Sequence, residues 1–313
     1  MIPGRLLDAP AGPSDRIVQT YWLLAGASTV LSIAFANETL MLLTILLFGV
    51  PHGALDGEMA RERLHARWGA AWFPLFGLPY LAAIALVIAA WQIWPYATLT
   101  AFLVLSLCHF GAETAETHRP LLSAFVLGGA PLILPACLHP AQTATLLDGM
   151  IAPHVLDGPP PWMTDLMPVW TVCALLWLAK TDRYVVVAVF LPVLLVFWLL
   201  PPLPAFMLYF IFIHAPAHIA GLTASDNWPR LTSQRDALKR AIPLSLLTAI
   251  IAFGLWPLYA GPPVSRLLQL TFQLLAALTL PHMVFDMLIT RNSPVIRGGS
   301  ARRRSISGGI GRL

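Results

Sequence analysis

The sequence predicts an all-α protein, a polytopic transmembrane helical bundle of about ten spans (eight to ten), and three observations predict it. Hydrophobic residues make up 58% of the 313 and charged residues only 11%, and the mean hydropathy is +0.73, a balance outside that of water-soluble domains. The apolar residues are gathered into runs close to the roughly 20 that a helix needs to cross a hydrocarbon core. The basic residues fall between those runs, almost all on one side.

Taken in order, the apolar segments lie at 17–35, 39–57, 74–90, 94–112, 120–137, 166–179, 184–200, 203–221, 241–258 and 267–289. The sixth and seventh are short or interrupted by Pro168 and Pro192, which leaves eight or nine spans open. With ten spans both termini share a side, and that side collects 18 of the 19 Lys and Arg, Arg266 being the exception. The positive-inside rule makes it the cytoplasmic face of a multi-pass protein. The loop from His139 to Asp165 carries Asp148, Asp157 and Asp165 and no base, so it is read as outer. The chain thus divides into a cytoplasmic segment 1–16, a single transmembrane domain 17–289 and a basic tail 290–313, expected to be disordered and available to an anionic lipid surface. Trp22, Trp68, Trp72, Trp91, Trp94, Trp162, Trp228 and Trp256 lie near segment ends and are read as interfacial belts.

Several function classes are excluded at this level. The net charge of +4 and pI near 9.2 invite a nucleic-acid reading, but the bases mark topology and form no nucleic-acid motif. Cys108, Cys137 and Cys173 lie in apolar runs without paired spacing, and are read as small buried hydrophobes rather than as a disulfide or sulfur metal site. No phosphate loop, dinucleotide fingerprint, nucleophile elbow or zincin motif occurs.

The chemistry is carried by histidine. Five of the nine histidines fall inside apolar segments, in four i, i+4 pairs: His52 with Asp56, His109 with Glu113, His214 with His218, and His282 with Asp286. On a helix such residues share a face about 6 Å apart along the axis. Polar groups there need a partner, a metal or a water-filled cavity, because hydrocarbon does not solvate them. The second, fourth, eighth and tenth segments run in the same direction and bring their histidines to a similar depth. A metal centre assembled from several helices follows, since neutral imidazole suits iron, copper and zinc. The alternative for each histidine taken singly is an interhelical hydrogen bond. His282 stays divided, because five imidazoles leave little open coordination; it is read as a hydrogen-bonding neighbour of the ligands or as channel lining. Asp56, Glu113 and Asp286 are read either as acceptors for ligand ring N–H groups or as interfacial carboxylates paired with Arg61, Arg63 or Arg119. Gly49, Gly53 and Gly111 permit close helix approach or leave room beside a metal. Phe110, Phe206, Tyr209, Phe210, Phe212 and Phe285 line an apolar tunnel or simply pack.

Pro51-His52-Gly53-Ala54-Leu55-Asp56, His109-Phe110-Gly111, His214-x-x-x-His218 and Leu280-Pro281-His282, in this order over 48–289, resemble the Brp/Blh family of bacterial and archaeal membrane β-carotene 15,15′-dioxygenases associated with rhodopsins. The resemblance implies a non-haem Fe(2+) centre held by His52, His109, His214 and His218. It also implies cleavage by dioxygen of the central double bond of β-carotene or a related carotenoid to two retinals, in the inner (plasma) membrane and with a functional link to a rhodopsin. The substrate, dissolved among membrane lipids, reaches the site sideways between helices.

Three other readings remain at this stage: a transporter or proton-coupled channel using intramembrane His and Asp, a b-type haem carrier, and a non-catalytic rhodopsin-associated membrane protein.

Overall fold

A computed structural model describes residues 15–114, 120–151, 156–225 and 227–292. Almost all of the 1–16 segment and of the 290–313 tail, together with Arg119, lies outside the described residues. All the regular structure described is helical.

Asp15 caps α1 (Arg16–Ala34) by accepting from the Ile17 N–H at 3.0 Å, and Asn37 caps α2 (Glu38–Gly49) by accepting from the Leu40 N–H at 2.9 Å, each filling an orphan donor of a first turn. α2 tightens into a 3₁₀ turn, Val50–Leu55, and continues as α3 (Asp56–Trp68). The chain reverses at Gly69, where φ is +50°, a left-handed conformation that glycine adopts without Cβ strain. α4 (Trp72–Ile93) then runs back. The reversal is secured by the Tyr80 hydroxyl, which donates to Asp56 at 2.9 Å; along an uninterrupted helix residues 24 apart would be about 36 Å from each other.

α5 (Pro95–Thr114) and α6 (Pro120–Leu138) follow. Their backbones touch: a Cβ at Gly128 would lie 2.5 Å from the Leu107 carbonyl oxygen, and one at Gly111 2.6 Å from that of Ala124. Small residues at such a crossing let membrane helices approach closely. On the side of the acidic loop lie α7 (Pro140–Asp148) and α8 (Pro161–Asp165), before α9 (Met167–Leu178).

α10 (Arg183–Val185) leads through a π-turn, Val186–Phe190, into α11 (Leu191–Leu199); α12 (Pro202–Tyr209) leads through a second, Phe210–His214, into α13 (Ala215–Thr223). Both π-turns stand just before a proline, Pro192 and Pro216. Proline has no N–H for the carbonyl four residues back, and the residue ahead of it instead reaches five back: Leu191 to Val186, and Ala215 to Phe210. α14 (Gln234–Leu255), capped by Ser233, and α15 (Pro263–Asn292) complete the order.

Among the described residues, seven helical stretches are long and apolar enough to cross a membrane, which corrects the expectation of about ten. One of the seven, Glu38–Ile93, doubles back at Gly69 and so holds both the 39–57 and the 74–90 segments as separate arms. The segments at 166–179 and 184–200 form helices of only 12 and 17 residues. Two smaller expectations also change. Trp91 is 2% exposed and Trp228 is buried under the Arg63 guanidinium, 5.4 Å away, so neither belongs to a belt, whereas Trp68 and Trp94 are exposed. Cys108 is exposed rather than buried.

The largest core lies between α2, α5, α6, α9, α11, α12 and α15, while Leu78, Leu86, Ile250 and Phe253 cover the outside. At one end Asp15–Arg235 (3.2 Å) joins the start of α1 to that of α14, and Glu58 of α3 pairs with Arg240 of α14 (3.2 Å) and with Arg230 just ahead of it (3.0 Å). The functional residues lie just inside that end.

Candidate metal centre

Each motif is placed by a local departure from the regular helix. Pro51 stands in the first turn of the 3₁₀ segment that carries His52, and His52 Nδ1–H donates to the Gly49 carbonyl. That bond leaves Nε2 as the ring's free lone pair. His214 ends the second π-turn, and a π-turn rotates the residues beyond it relative to an α-helix, so that His214 and, a turn on, His218 both reach inward. His109 and Glu113 come from α5, whose position is fixed by its backbone contact with α6.

Together these residues form a compact cluster. His109 Nε2 and His214 Nε2 are 3.2 Å apart, and one ring nitrogen from each of His52, His109 and His214 lies within 4.8 Å of the others. The His52 ring is centred 5.0 Å from that of His214 and 5.5 Å from that of His218. His52, His109 and His214 are all at most 7% exposed. Two nitrogens bound at about 2.1 Å to adjacent positions of one metal stand about 3 Å apart, which is the His109–His214 spacing. Among the described residues His218 Nε2 is buried with no hydrogen-bond partner, which suits a metal ligand, since buried polar atoms otherwise find partners. His52, His109 and His214 therefore have the spacing of metal ligands, with His218 beside them.

Glu113 is more central than the sequence suggests. Its Oε1 accepts from His218 Nδ1–H at 2.8 Å, and its Oε2 lies 3.2 Å from His214 Nδ1 without the alignment of a hydrogen bond. One carboxylate thus spans both histidines of the late pair on their Nδ1 sides. It also lies 3.8 Å from His109 Nε2 and 3.7 Å from His282 Nε2, and with His109 and His282 makes a second group of metal-ligand geometry.

Asp56 is 1% exposed and is no interfacial carboxylate. It accepts from His282 Nδ1–H at 2.7 Å and from Tyr80 at 2.9 Å. The His282 ring is centred 5.2 Å from that of His109 and 5.3 Å from that of His218, so it belongs to the cluster. The Asp286 side chain lies outside what is described. His139 is apart, with Nε2 3.2 Å from the Phe197 carbonyl, and His65 lies on α3 near the charged end.

A cavity of about 420 Å³ opens from this cluster, within the range of about 300–1,000 Å³ usual for ligand pockets. Its polar lining comes from His52, His109, His282 and Tyr80 with the hydroxyls Ser106, Thr248 and Thr279, and the rest of its wall is apolar, largely from α4, α5, α12, α14 and α15. Phe73, Leu78 and Leu81 of that wall are also exposed on the outside of the bundle, so the cavity meets the surrounding hydrocarbon along α4. Of the expected tunnel aromatics, Phe110, Phe206 and Phe210 line it. Phe285 packs on Phe76, Tyr209 on Phe110 and Phe197, and Phe212 on Trp22. A methyl at Gly49 would strike the Phe210 ring, which stacks on His214 at 5.5 Å, while Gly53 faces open space. Tyr80 is the member that sequence reasoning missed. A phenol inside an apolar run was the available signal, because a buried Tyr hydroxyl usually has a partner.

Comparison with known proteins points one way. The family model described as β-carotene 15,15′-dioxygenase matches residues 43–289. A β-carotene 15,15′-dioxygenase of uncultured marine bacterium 66A03 is 25% identical over 264 residues, covering 79% of this chain and 92% of that protein. A protein of Halobacterium salinarum named probable β-carotene 15,15′-dioxygenase Blh is 25% identical over 283 residues, covering 76% of this chain and 80% of its own. No solved structure matches the chain.

Proposed function

The chain belongs to the β-carotene 15,15′-dioxygenase family, and from that premise we propose that it cleaves the central 15,15′ double bond of β-carotene or a similar carotenoid with dioxygen. One C=C bond breaks and two C=O bonds form, one oxygen atom going to each of two retinal molecules. The observation that carries the reading is a group of three buried imidazoles, His52, His109 and His214, with His218 beside it, next to an apolar cavity whose wall reaches the outside of the bundle.

In this reading His52, His109, His214 and His218 hold Fe(2+). Iron with open coordination positions supplies the dioxygen chemistry when bound. The chain's own groups do the rest. The Gly49 carbonyl and Glu113 hold His52 and His218 in the tautomer that offers Nε2. Phe110, Phe206 and Phe210 keep the site dry and give a rod of conjugated carbon flat surfaces to lie against. A hydrocarbon substrate entering from the bilayer has no water shell to lose. The setting is the inner (plasma) membrane with both termini cytoplasmic, and a rhodopsin would take up the retinal formed.

Expression in cells that accumulate β-carotene, with chromatography of their pigments and metal analysis of the purified protein, tests the proposal. Loss of β-carotene with appearance of retinal, and about one iron per chain, is the expected result. Iron near zero after anaerobic purification, or retinal formation undiminished in His52→Ala and His214→Ala variants, would overturn it.

A further inference from the structure

Tyr80 stands in an otherwise apolar part of α4 and forms part of the cavity wall. Its hydroxyl does not face the cavity alone, since it donates to Asp56 Oδ2 at 2.9 Å. The other oxygen of the same carboxylate accepts from His282 Nδ1–H at 2.7 Å. Three separate elements, α4, α3 and α15, therefore converge on one buried carboxylate. With Nδ1–H committed to Asp56, Nε2 is the ring atom turned to the cluster, 3.7 Å from Glu113 and on the side of the His109 and His218 rings.

An outer carboxylate that takes the far N–H of an imidazole fixes the tautomer and the ring angle of a metal ligand. A carboxylate in hydrocarbon that used only one oxygen would leave the other without a donor; Tyr80 fills that need and stops the carboxylate from turning. We propose that Tyr80 and Asp56 are positioning residues that hold His282 against Glu113 and His109 at the edge of the metal centre, an inference that rests on the reading of the cluster as an iron site.

Co(2+) binding to the full-length protein in lipid nanodiscs tests this without turnover, because the visible absorption of Co(2+) reports its ligand set. Tyr80→Phe keeps the ring and the cavity wall and removes only the donor. Asp56→Ala is expected to weaken Co(2+) affinity by about 10–100-fold, the usual cost of losing an outer-shell partner, and to alter the spectrum. Tyr80→Phe is expected to weaken it severalfold in the wild-type background and not at all in a His282→Ala background, as for residues acting through one another. Wild-type affinity and spectrum in both Tyr80→Phe and Asp56→Ala, or a Tyr80→Phe effect of equal size with and without His282, would overturn the inference alone. A wild-type chain that binds neither Co(2+) nor iron would overturn the metal reading with it. Melting temperatures of each variant separate loss of fold from loss of positioning.

Discussion

Replacing Gly128 by alanine should damage the candidate centre without touching any of its residues. The added methyl carbon would sit 2.5 Å from both the Leu107 carbonyl oxygen and the Gly111 backbone nitrogen, whereas ordinary contact begins at 3.4 Å. Both neighbours are backbone, so neither can swing aside, and α5 and α6 must part by about 0.9 Å. His109 lies between those two residues, with its Nε2 placed 3.2 Å from His214. Functional constellations tolerate errors of about 0.5 Å, and a displacement near 1 Å can cost about 100-fold in rate. Overpacking of this kind typically costs about 1–3 kcal/mol of stability. The expected outcome for Gly128→Ala is a membrane-inserted protein with retinal formation about 100-fold slower and reduced iron content. Gly254→Ala on α14 is the control, because a methyl there meets nothing within 4 Å. Wild-type rate and iron in Gly128→Ala, or an equal loss in Gly254→Ala, would refute the idea that this helix contact sets the geometry of the site.

Glu113→Gln, which removes the charge spanning His214 and His218, should weaken metal binding about 10–100-fold, measured by competition with a chelator of known affinity. Gly77 lines the cavity and a Cβ there meets nothing within 4 Å, so Gly77→Phe should fill space meant for substrate; a raised KM for β-carotene with unchanged iron content is the expected result. Treatment with a strong chelator should abolish retinal formation, with Fe(2+) restoring it and Zn(2+), which has no redox chemistry, failing to do so in the same assay.

The helical membrane class was readable because it depends on run lengths and composition, which are properties of the chain itself. The span count was less so. The apolar runs at 166–179 and 184–200 do not reveal that their helices close at 12 and 17 residues, too short to count among the seven. At the site, the histidines stood out because imidazole inside hydrocarbon demands a reason, and the structure brings His52, His109, His214, His218 and His282 together. The division of labour among the carboxylates was hidden. Asp56 and Glu113 have the same i, i+4 relation to a histidine, yet Asp56 serves His282, 226 residues away, and Glu113 reaches the late pair on α13 and its preceding π-turn. Tyr80 was hidden for a similar reason, its partner being set by a chain reversal that local spacing does not encode.

The exposed cavity wall along α4, at Phe73, Leu78 and Leu81, has a kinetic consequence. A site fed from the bilayer responds to how many carotenoid molecules there are per lipid, not to how many there are per litre. Adding inert lipid at constant protein and carotenoid should slow the reaction as if substrate had been withdrawn, and adding buffer should leave the rate per protein unchanged. If the proposed activity holds, the bilayer is both the solvent and the reservoir for this chain, and the carotenoid content of the membrane sets its working rate.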